Sequence, residues 1–324
     1  MGKFEKTLKE KFGINVAGLA PSPWTDNTLP NIESDLIANS EFLSMLSLET
    51  GLKGTREIAL LSMNVPLKAK AACSPSPDGS VVLTKKNLST VPLYQGVTFC
   101  NESLNSTMYQ VLNTLGMKMQ NGQLPADLEV IVMSYLLKMS QKKAQDLVWL
   151  GIIGSGNPDL VHFNGLNKQF LDDAAILKTA TTYATVDSTN AYSAAVEVYK
   201  AIPADLLDSG KEVVIFTGRT EALNILAQYN KDNPYTQITP ENIGGSLKFL
   251  LPLTNIYVQT VPQLNGLNLI YAFAPSYVFL GVDSPEDQSF DVKYNDYTEE
   301  LKAEASFRLG VTYVFPQYIV KLKK

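Results

Sequence analysis

The stretch that decides the fold is residues 125–151, PADLEVIVMSYLLKMSQKKAQDLVWLG. Pro125 stands where a first helical residue tolerates proline, because the missing N–H would have no intrahelical partner there. Asp127 and Glu129 follow in the first turn, where carboxylates complement the positive end of the helix dipole. Leu128, Ile131, Val132, Tyr135, Leu136 and Met139 recur three and four residues apart and form one apolar stripe. Lys138, Lys142 and Lys143 lie in the second half, and Gly151 supplies a stop. The spacing predicts one helix over 125–150, roughly 39 Å long at 1.5 Å per residue. That exceeds the usual three or four turns, and such a helix can be the backbone of an elongated subunit.

After this helix the pattern alternates. Within 185–285, Ser188 is placed to cap a helix running to about Ala201. Lys211 to Thr217 (Lys-Glu-Val-Val-Ile-Phe-Thr) has the continuous apolar character of a buried strand. A short helix carrying Leu223, Ile225, Leu226 and Tyr229 follows. Short strands are expected near 247–251, 255–261, 267–273 and 277–282, separated by Pro and Gly. The sum is an α/β unit with a mixed sheet. Residues 286–324 read as a final hairpin in which Phe290 to Tyr294 pairs with a longer strand from Ala305. There Ala305, Phe307, Leu309, Val311, Tyr313 and Phe315 alternate with Ser306, Arg308, Gly310 and Thr312 until Pro316 ends it.

Upstream, residues 51–105 read as a long β-hairpin with its tip at Ser74-Pro75-Ser76-Pro77-Asp78-Gly79. In the return arm Val81, Leu83, Val91, Leu93, Val97 and Phe99 share one parity, opposite Thr84, Lys86, Thr90, Tyr94 and Thr98. A two-stranded ribbon alone is marginal in water, so its apolar face needs a surface such as a neighbouring subunit. Residues 1–50 contain a short amphipathic helix over 1–12, with Phe4, Leu8 and Phe12, then Pro21, Pro23 and Pro30, then a helix-like stretch from Ile32 to Leu48. Such a segment cannot close a core by itself and reads as an arm.

Composition narrows the function classes. The chain has 324 residues, 45% apolar and 18% charged, with a formal net charge of −5. A protein gripping DNA through phosphate contacts would be basic, so mild acidity argues against that class. No secretory signal is legible, and no apolar run approaches ~18 residues, so no membrane partner is expected. Cys73 and Cys100 suit a reducing compartment. On a hairpin tipped at Asp78-Gly79 they would lie about 50 Å apart along the strands, beyond the ~7 Å reach of a disulfide, so free thiols or pairing between subunits are expected.

Candidate sites are few. Gly151-Ile-Ile-Gly154-Ser-Gly156 is neither a dinucleotide fingerprint nor a P-loop, since it follows a helix and lacks Lys-Ser/Thr; a structural turn is expected. His162 is the sole histidine, and one histidine without further ligands makes no zinc site. Asp172 and Asp173 could orient it as a base, but no nucleophile motif accompanies them. Asp283, Glu286, Asp287 and Asp291 cluster near a turn without EF-hand spacing. Asn87, Asn101 and Asn105 fit the glycosylation pattern, a coincidence without a secretory signal. No catalytic, cofactor-binding or metal-binding residue is therefore assigned, and no enzyme is expected.

The order of elements resembles the major capsid proteins of tailed phages, the Hong Kong 97-like family. Three stretches carry the resemblance: Trp149-Leu150-Gly151 leading to Gly154-Ser155-Gly156-Asn157 and Phe163-Asn164-Gly165-Leu166; Ala274-Pro275-Ser276-Tyr277-Val278-Phe279-Leu280-Gly281-Val282-Asp283; and Phe307-Arg308-Leu309-Gly310-Val311 through Phe315-Pro316-Gln317 to Ile319-Val320. The placing of Cys73 and Cys100 on the hairpin also resembles a subgroup from phages of Bacteroidetes. The resemblance implies an α+β fold with an N-terminal arm (1–50) and an extended hairpin loop (51–105). It further implies a peripheral domain (106–184 and 286–324) with its spine helix at 125–150, and an axial α/β domain (185–285). It implies a subunit that self-assembles into hexamers and pentamers of an icosahedral shell around double-stranded DNA, touched nonspecifically. The subunit would be made in the host cytoplasm and end in the virion capsid. Its partners would be itself, a separate scaffolding protein, a portal and, in some relatives, a decoration protein. With only about fifty residues ahead of the hairpin, the subunit is expected to remain untrimmed. An encapsulin-type nanocompartment shares the fold and is the first alternative; a carboxylate-dependent hydrolase is the second.

Overall fold

The period-two signal upstream of the long helix resolves into two pieces. The structure, a computed structural model, describes residues 41–64, 80–100, 128–236, 238–243, 246–283, 289–295 and 300–324. A short helix α1 (Glu41–Ser44) and strand β1 (Ser47–Glu49) lead to β2 (Thr55–Asn64). This pairs antiparallel with β3 (Ser80–Ser89) in unbroken register from Thr55↔Ser89 to Asn64↔Ser80. Strand β4 (Val91–Cys100) is not the rest of that arm, because it pairs in another sheet with β13 (Glu300–Tyr313). The single return arm expected from Val81 to Phe99 is thus corrected to two strands meeting at Thr90. The cause is local: the Thr90 N–H donates to Gly54 O at 2.9 Å and its hydroxyl to Leu52 O at 2.8 Å, which ties the chain to the foot of β2. The apolar face holds in β4, where Leu93 is buried and Tyr94 is exposed, and is corrected in β3. Val81 and Leu83 are 61% and 59% exposed, whereas Leu88, of the opposite parity, is fully buried. The Cys73 position, the hairpin tip, the 1–12 helix and most of the Ile32 to Leu48 stretch lie outside the described residues.

The long helix α2 is described over Leu128–Leu150, 23 residues; Pro125 and Asp127 lie outside the described residues. Leu136, Ser140, Ala144, Leu147 and Val148 are buried, a spacing that follows one helical face. Met139, expected in the stripe, is 50% exposed. Ser140 takes the buried place, its Oγ lying 2.6 Å from Gln95 Oε1 and 2.8 Å from Leu136 O, so the polar atom is satisfied. The expected stop holds. Gly151 donates to Leu147 O at 3.0 Å, and Gly165 donates to Gly151 O at 2.8 Å. A Cβ on Gly151 would meet Phe163 O at 2.3 Å, and one on Gly165 would meet Gly151 N at 2.7 Å. The two glycines therefore let two backbones touch where the helix ends. Helix α3 (Leu166–Asp172) and strand β5 (Leu177–Thr182) follow.

Next come α4 (Ala191–Lys200), α5 (Ala204–Asp208), β6 (Val214–Thr217) and α6 (Arg219–Asp232). They are followed by β7 (Glu241–Ile243), β8 (Ser246–Leu250), β9 (Tyr257–Thr260), β10 (Ile270–Phe273) and β11 (Val278–Val282). Ser188 does not cap α4: Asn190 holds the N-cap position, and Asp187 instead accepts the N–H of Thr189 at 2.8 Å. Strand β12 (Ser289–Asn295) pairs antiparallel with β13 as expected, but β13 begins at Glu300 rather than Ala305, so residues 290–294 face 305–301. The chain ends in β14 (Val320–Lys323).

The chain divides into two units. In the first, which includes β4 after Val91, α2 as far as Asp146, β12 and β13 as far as Leu309, Leu136 packs with Ala303, Ala305 and Val97. In the second, a seven-stranded mixed sheet runs β5-β14-β10-β6-β9-β8-β7. The last strand lies inside this sheet, parallel to β5 and antiparallel to β10. One face of the sheet packs Ile215, Val258, Ile270 and Ala272 with Ala194, Val198, Ala222 and Ile225 of α4 and α6. The other face carries Phe216, Tyr271 and Phe273 against Trp149 and Phe170, with ring centroids 4.7–6.3 Å apart. Burial on both faces explains why β6 and β10 read as continuous apolar runs.

Candidate functional site

The second unit has two features from which function can be argued: the root of the β2–β3 ribbon and the apolar surface beyond it. At the root two strands approach so closely that only glycine fits. A Cβ on Gly310 would stand 2.0 Å from Ser89 O, and one on Gly281 would meet Thr90 Cγ2 at 2.9 Å. Both glycines belong to the stretches that carry the family resemblance. Above them the Lys86 ammonium lies 4.1 Å over the Tyr313 ring and 3.5 Å from Asp173 Oδ2. The Tyr313 hydroxyl donates to the same carboxylate oxygen at 2.5 Å, and the Ala175 N–H donates to Asp173 Oδ1 at 2.9 Å. Burial works to raise the Asp173 pKa, but the Tyr313 hydroxyl, the Ala175 N–H and Lys86 together hold it below its ordinary value. The Tyr313 phenol is pushed up by burial and by the neighbouring carboxylate.

Beside this network, Lys321 of β14 is buried and donates to the carbonyls at the end of α3: Phe170 O, Leu171 O at 3.2 Å and Asp173 O at 3.4 Å. A cation there complements the negative end of a helix. Burial and the neighbouring Lys178 lower the pKa of Lys321, against the pull of Asp173 and Asp172. Period-two reading missed this cluster because its members come from β3, the end of α3, β13 and β14. The one local signal is the run of carboxylates at Asp172 and Asp173 after an apolar helix.

Farther along the ribbon, Val81 and Leu83 face solvent, and the register sets Met63 opposite Val81 and Leu61 opposite Leu83. At the root, Ile58 and Leu60 pack on the core of the second unit. The ribbon is anchored at its foot and apolar toward its tip.

Among the described residues, those singled out from sequence lie apart or are engaged by other partners. The Gly151 to Gly156 segment is a turn in which Ile152 N donates to Leu160 O, Ile153 N to Asn164 Oδ1, and Ser155 N to Ile152 O. His162 is exposed. The acids proposed to orient it are engaged elsewhere: Asp172 with Lys168 at 2.8 Å, Asp173 with Tyr313 and Lys86. In the acidic turn, Asp283 is buried and paired with Arg308 at 3.3 Å, an ion pair rather than an open ligand; Glu286 and Asp287 lie outside the described residues. Among the described residues no group of three His, Cys, Asp or Glu side chains is placed to hold a metal ion, and no helix is long and apolar enough to cross a membrane.

No family model matches the chain, and no curated protein matches it by sequence. Solved structures do. The structure titled as the satellite phage P4 procapsid including its size-determination protein aligns over 90% of this chain and 98% of its own, with a TM-score of 0.56 at 10% identity. Mycobacterium phage Ogopogo aligns over 87% and 91%, with a TM-score of 0.56 at 12% identity. The capsid of the native GTA particle aligns over 88% and 90%, with a TM-score of 0.55 at 12% identity. At such identities the likeness is one of fold, and it spans nearly the whole of both chains. The fold is a mixed α+β architecture shared with these phage and GTA particle structures.

Proposed function

We propose that this chain is a major capsid protein of the Hong Kong 97-like type. Copies of it form hexamers and pentamers, and these close into an icosahedral shell around double-stranded DNA. In this reading residues 1–50 are the arm and 51–105 the extended loop. Residues 106–184 with 286–324 form the peripheral domain around the spine helix, and 185–285 the axial domain, with β14 an exchange between the two. The observation that carries the reading is the ribbon: a rigid root, then a stretch with Val81 and Leu83 about 60% exposed. Contiguous apolar surface on a soluble chain marks a place that another surface covers. A ribbon of two strands gains stability only by being covered, so the subunit is completed by its neighbours. The chain is structural rather than enzymatic. A separate scaffolding protein and a portal are its expected helpers, DNA contact is nonspecific, and the virion capsid is where it resides.

The test is expression of the full chain with and without neighbouring phage genes, followed by electron microscopy. Closed polyhedral shells, or rings of five and six, support the proposal, and DNA inside purified particles distinguishes a virion from a nanocompartment. A chain that stays monomeric with its helpers present sinks it.

A further inference from the structure

The tetrapeptide Asn-Gly-Leu-Asn occurs twice among the described residues, at 164–167 and at 265–268. Asparagine is one of the thermolabile residues. A following glycine exposes it to attack by its own chain, because without a Cβ the next backbone nitrogen meets little hindrance on its way to the asparagine Cγ. Since the local sequence is the same, a difference in reactivity between the two copies is set by the fold.

The copy at 164 is closed. Gly165 is buried, and its N–H donates to Gly151 O at 2.8 Å. A Cβ there would meet Gly151 N at 2.7 Å and Leu147 O at 2.8 Å, so this backbone has no room to turn. Asn164 is held at both of its carbonyls: Oδ1 accepts the Ile153 N–H at 2.9 Å, and the backbone oxygen accepts Gln169 Nε2 at 2.6 Å. Bringing Gly165 N round to Asn164 Cγ requires the end of α2 to come apart.

The copy at 265 is open. Asn265 and Gly266 are both exposed, in the connection between β9 and β10. A Cβ on Gly266 would meet nothing within 4 Å, and its N–H reaches Glu221 Oε2 only at 3.4 Å. The turn is closed by Leu267 N donating to Leu264 O at 3.1 Å. The Asn265 side chain is fixed at the start of α6, its Oδ1 accepting the Thr220 N–H at 3.0 Å and the Thr220 hydroxyl at 2.7 Å. Those two donors polarise the amide and face the oxygen on which charge develops during attack. What the folded turn withholds is the angle of attack. At φ −60° and ψ 126° the Gly266 nitrogen is turned away from Cγ, and the peptide must rotate about the Cα–C bond. That rotation gives up the Leu264 and Glu221 contacts of a surface turn, and such local openings cost far less than opening a packed core.

We infer that Asn265 is a self-modification site of the folded chain, deamidating through a cyclic imide, while the fold keeps Asn164 intact; the inference does not depend on the shell reading. In the first step Gly266 N forms a bond to Asn265 Cγ and gives its proton to solvent. The Cγ–Nδ2 bond breaks, and the departing nitrogen takes up a proton and leaves as ammonia. Water then opens the ring at either carbonyl, giving aspartate or isoaspartate. The iso form carries the main chain through the side-chain methylene. It therefore shifts Gly266 and Asn268 away from buried Glu221, whose Oε1 accepts the Asn268 N–H at 2.8 Å. Asn268 Oδ1 in turn accepts the Val186 N–H at 3.0 Å, so one modification loosens the bracing of the whole β9–β10 connection.

The test incubates the full, unassembled chain at mildly alkaline pH, once folded and once in denaturant. Mass spectrometry of the peptides that carry each site follows the replacement of NH by O, and isoaspartate is measured separately. In denaturant the two sites should change at similar rates. In the folded chain Asn265 should lead Asn164 by about tenfold or more, because a surface turn opens more often than a packed helix end. Equal rates in the folded chain, or a folded chain in which neither site changes while both do in denaturant, overturn the inference. A lead of Asn265 that persists undiminished in denaturant overturns it too, since the cause would then lie in the flanking sequence and not in the fold.

Discussion

The seven-stranded sheet and the β2–β3 ribbon solve the same problem in opposite ways. In the sheet, Phe216, Tyr271 and Phe273 on one face and Ile215, Ile270 and Ala272 on the other are each fully buried by other parts of the same chain. In the ribbon only the foot is treated so. Leu88 is fully buried there, while Val81 and Leu83, a few residues along the same strand, are 61% and 59% exposed. The difference shows where each element gets its stability. The sheet is finished when the subunit folds, whereas the ribbon is finished only when something else covers it.

If that division is right, the largest loss should come from the sheet's aromatic side. Phe170 sits among Tyr271, Phe273 and Tyr313, with centroids 5.1–5.5 Å away, and is fully buried. Phe170→Ala should cost about 3–5 kcal/mol, a large share of the stability of an ordinary domain. Denaturant unfolding of the soluble subunit measures it; a loss under about 1 kcal/mol would mean that this face can collapse or is not sealed. The next effect belongs to the boundary between the two regions. Gly310→Ala puts a methyl group 2.0 Å from Ser89 O, a backbone atom that cannot step aside. Overpacking of this kind costs about 1–3 kcal/mol, and it should free the ribbon root, seen as faster amide exchange at Thr90 than in the wild type.

The same division explains what was legible in the sequence. Strands β6, β8, β9 and β10 of the sheet, with α2 and its stop at Gly151, could be read because their signals are local, whereas β5, β7 and β14 were not read. Burial on both faces gives continuous apolar runs at 213–216 and 270–273, and Gly151 with Gly165 permits a close backbone approach. That 290–294 pairs with the strand after it was legible, but not that this strand begins at Glu300. The root was not. Thr90 looks like one more polar residue in an alternating run, and only Leu52 O and Gly54 O, far back in the chain, make it a break point. Met139 and Ser140 exchanged roles because Gln95, distant in sequence, satisfies the serine. Lys321 was invisible as a helix cap because the helix it serves ends about 150 residues earlier. The candidate acids at 172 and 173 were noticed, but as partners for His162; what claims Asp173 instead is Tyr313, and nothing in the spacing announces that.

A smaller effect should appear in the latch formed by Lys86, Asp173 and Tyr313. Asp173 in the folded chain lies below its ordinary value of 3.8, and in the unfolded chain it returns there. The folded state therefore releases this proton more readily. Its contribution is complete above the unfolded value and is lost as pH falls through the lower, folded one. Asp173→Asn should cost about 1 kcal/mol at neutral pH and flatten this part of the acid dependence, so that wild type and variant converge in strong acid. Equal gaps between their melting temperatures at pH 7 and pH 2 would show that the carboxylate charge does not hold the root.

The smallest effect on folding should come from the exposed part of the ribbon, and this is where the comparison is most exposed to failure. Val81→Ser with Leu83→Ser alters two side chains that face solvent, and surface changes remote from caps, cores and paired charges usually stay within about 0.5 kcal/mol. The unassembled subunit should melt as the wild type does, and Leu88, Ile58 and Leu60 at the foot should keep their protection. Assembly should suffer out of proportion, because the apolar surface offered to a neighbour is gone while everything that folds the subunit remains. Separate measurement of subunit melting and particle yield makes the two outcomes distinguishable. Loss of particles with an unchanged subunit places the value of Val81 and Leu83 between copies. A destabilised subunit would mean that the ribbon folds back on its own chain, and the contrast between a self-sufficient sheet and a dependent ribbon would have to be given up.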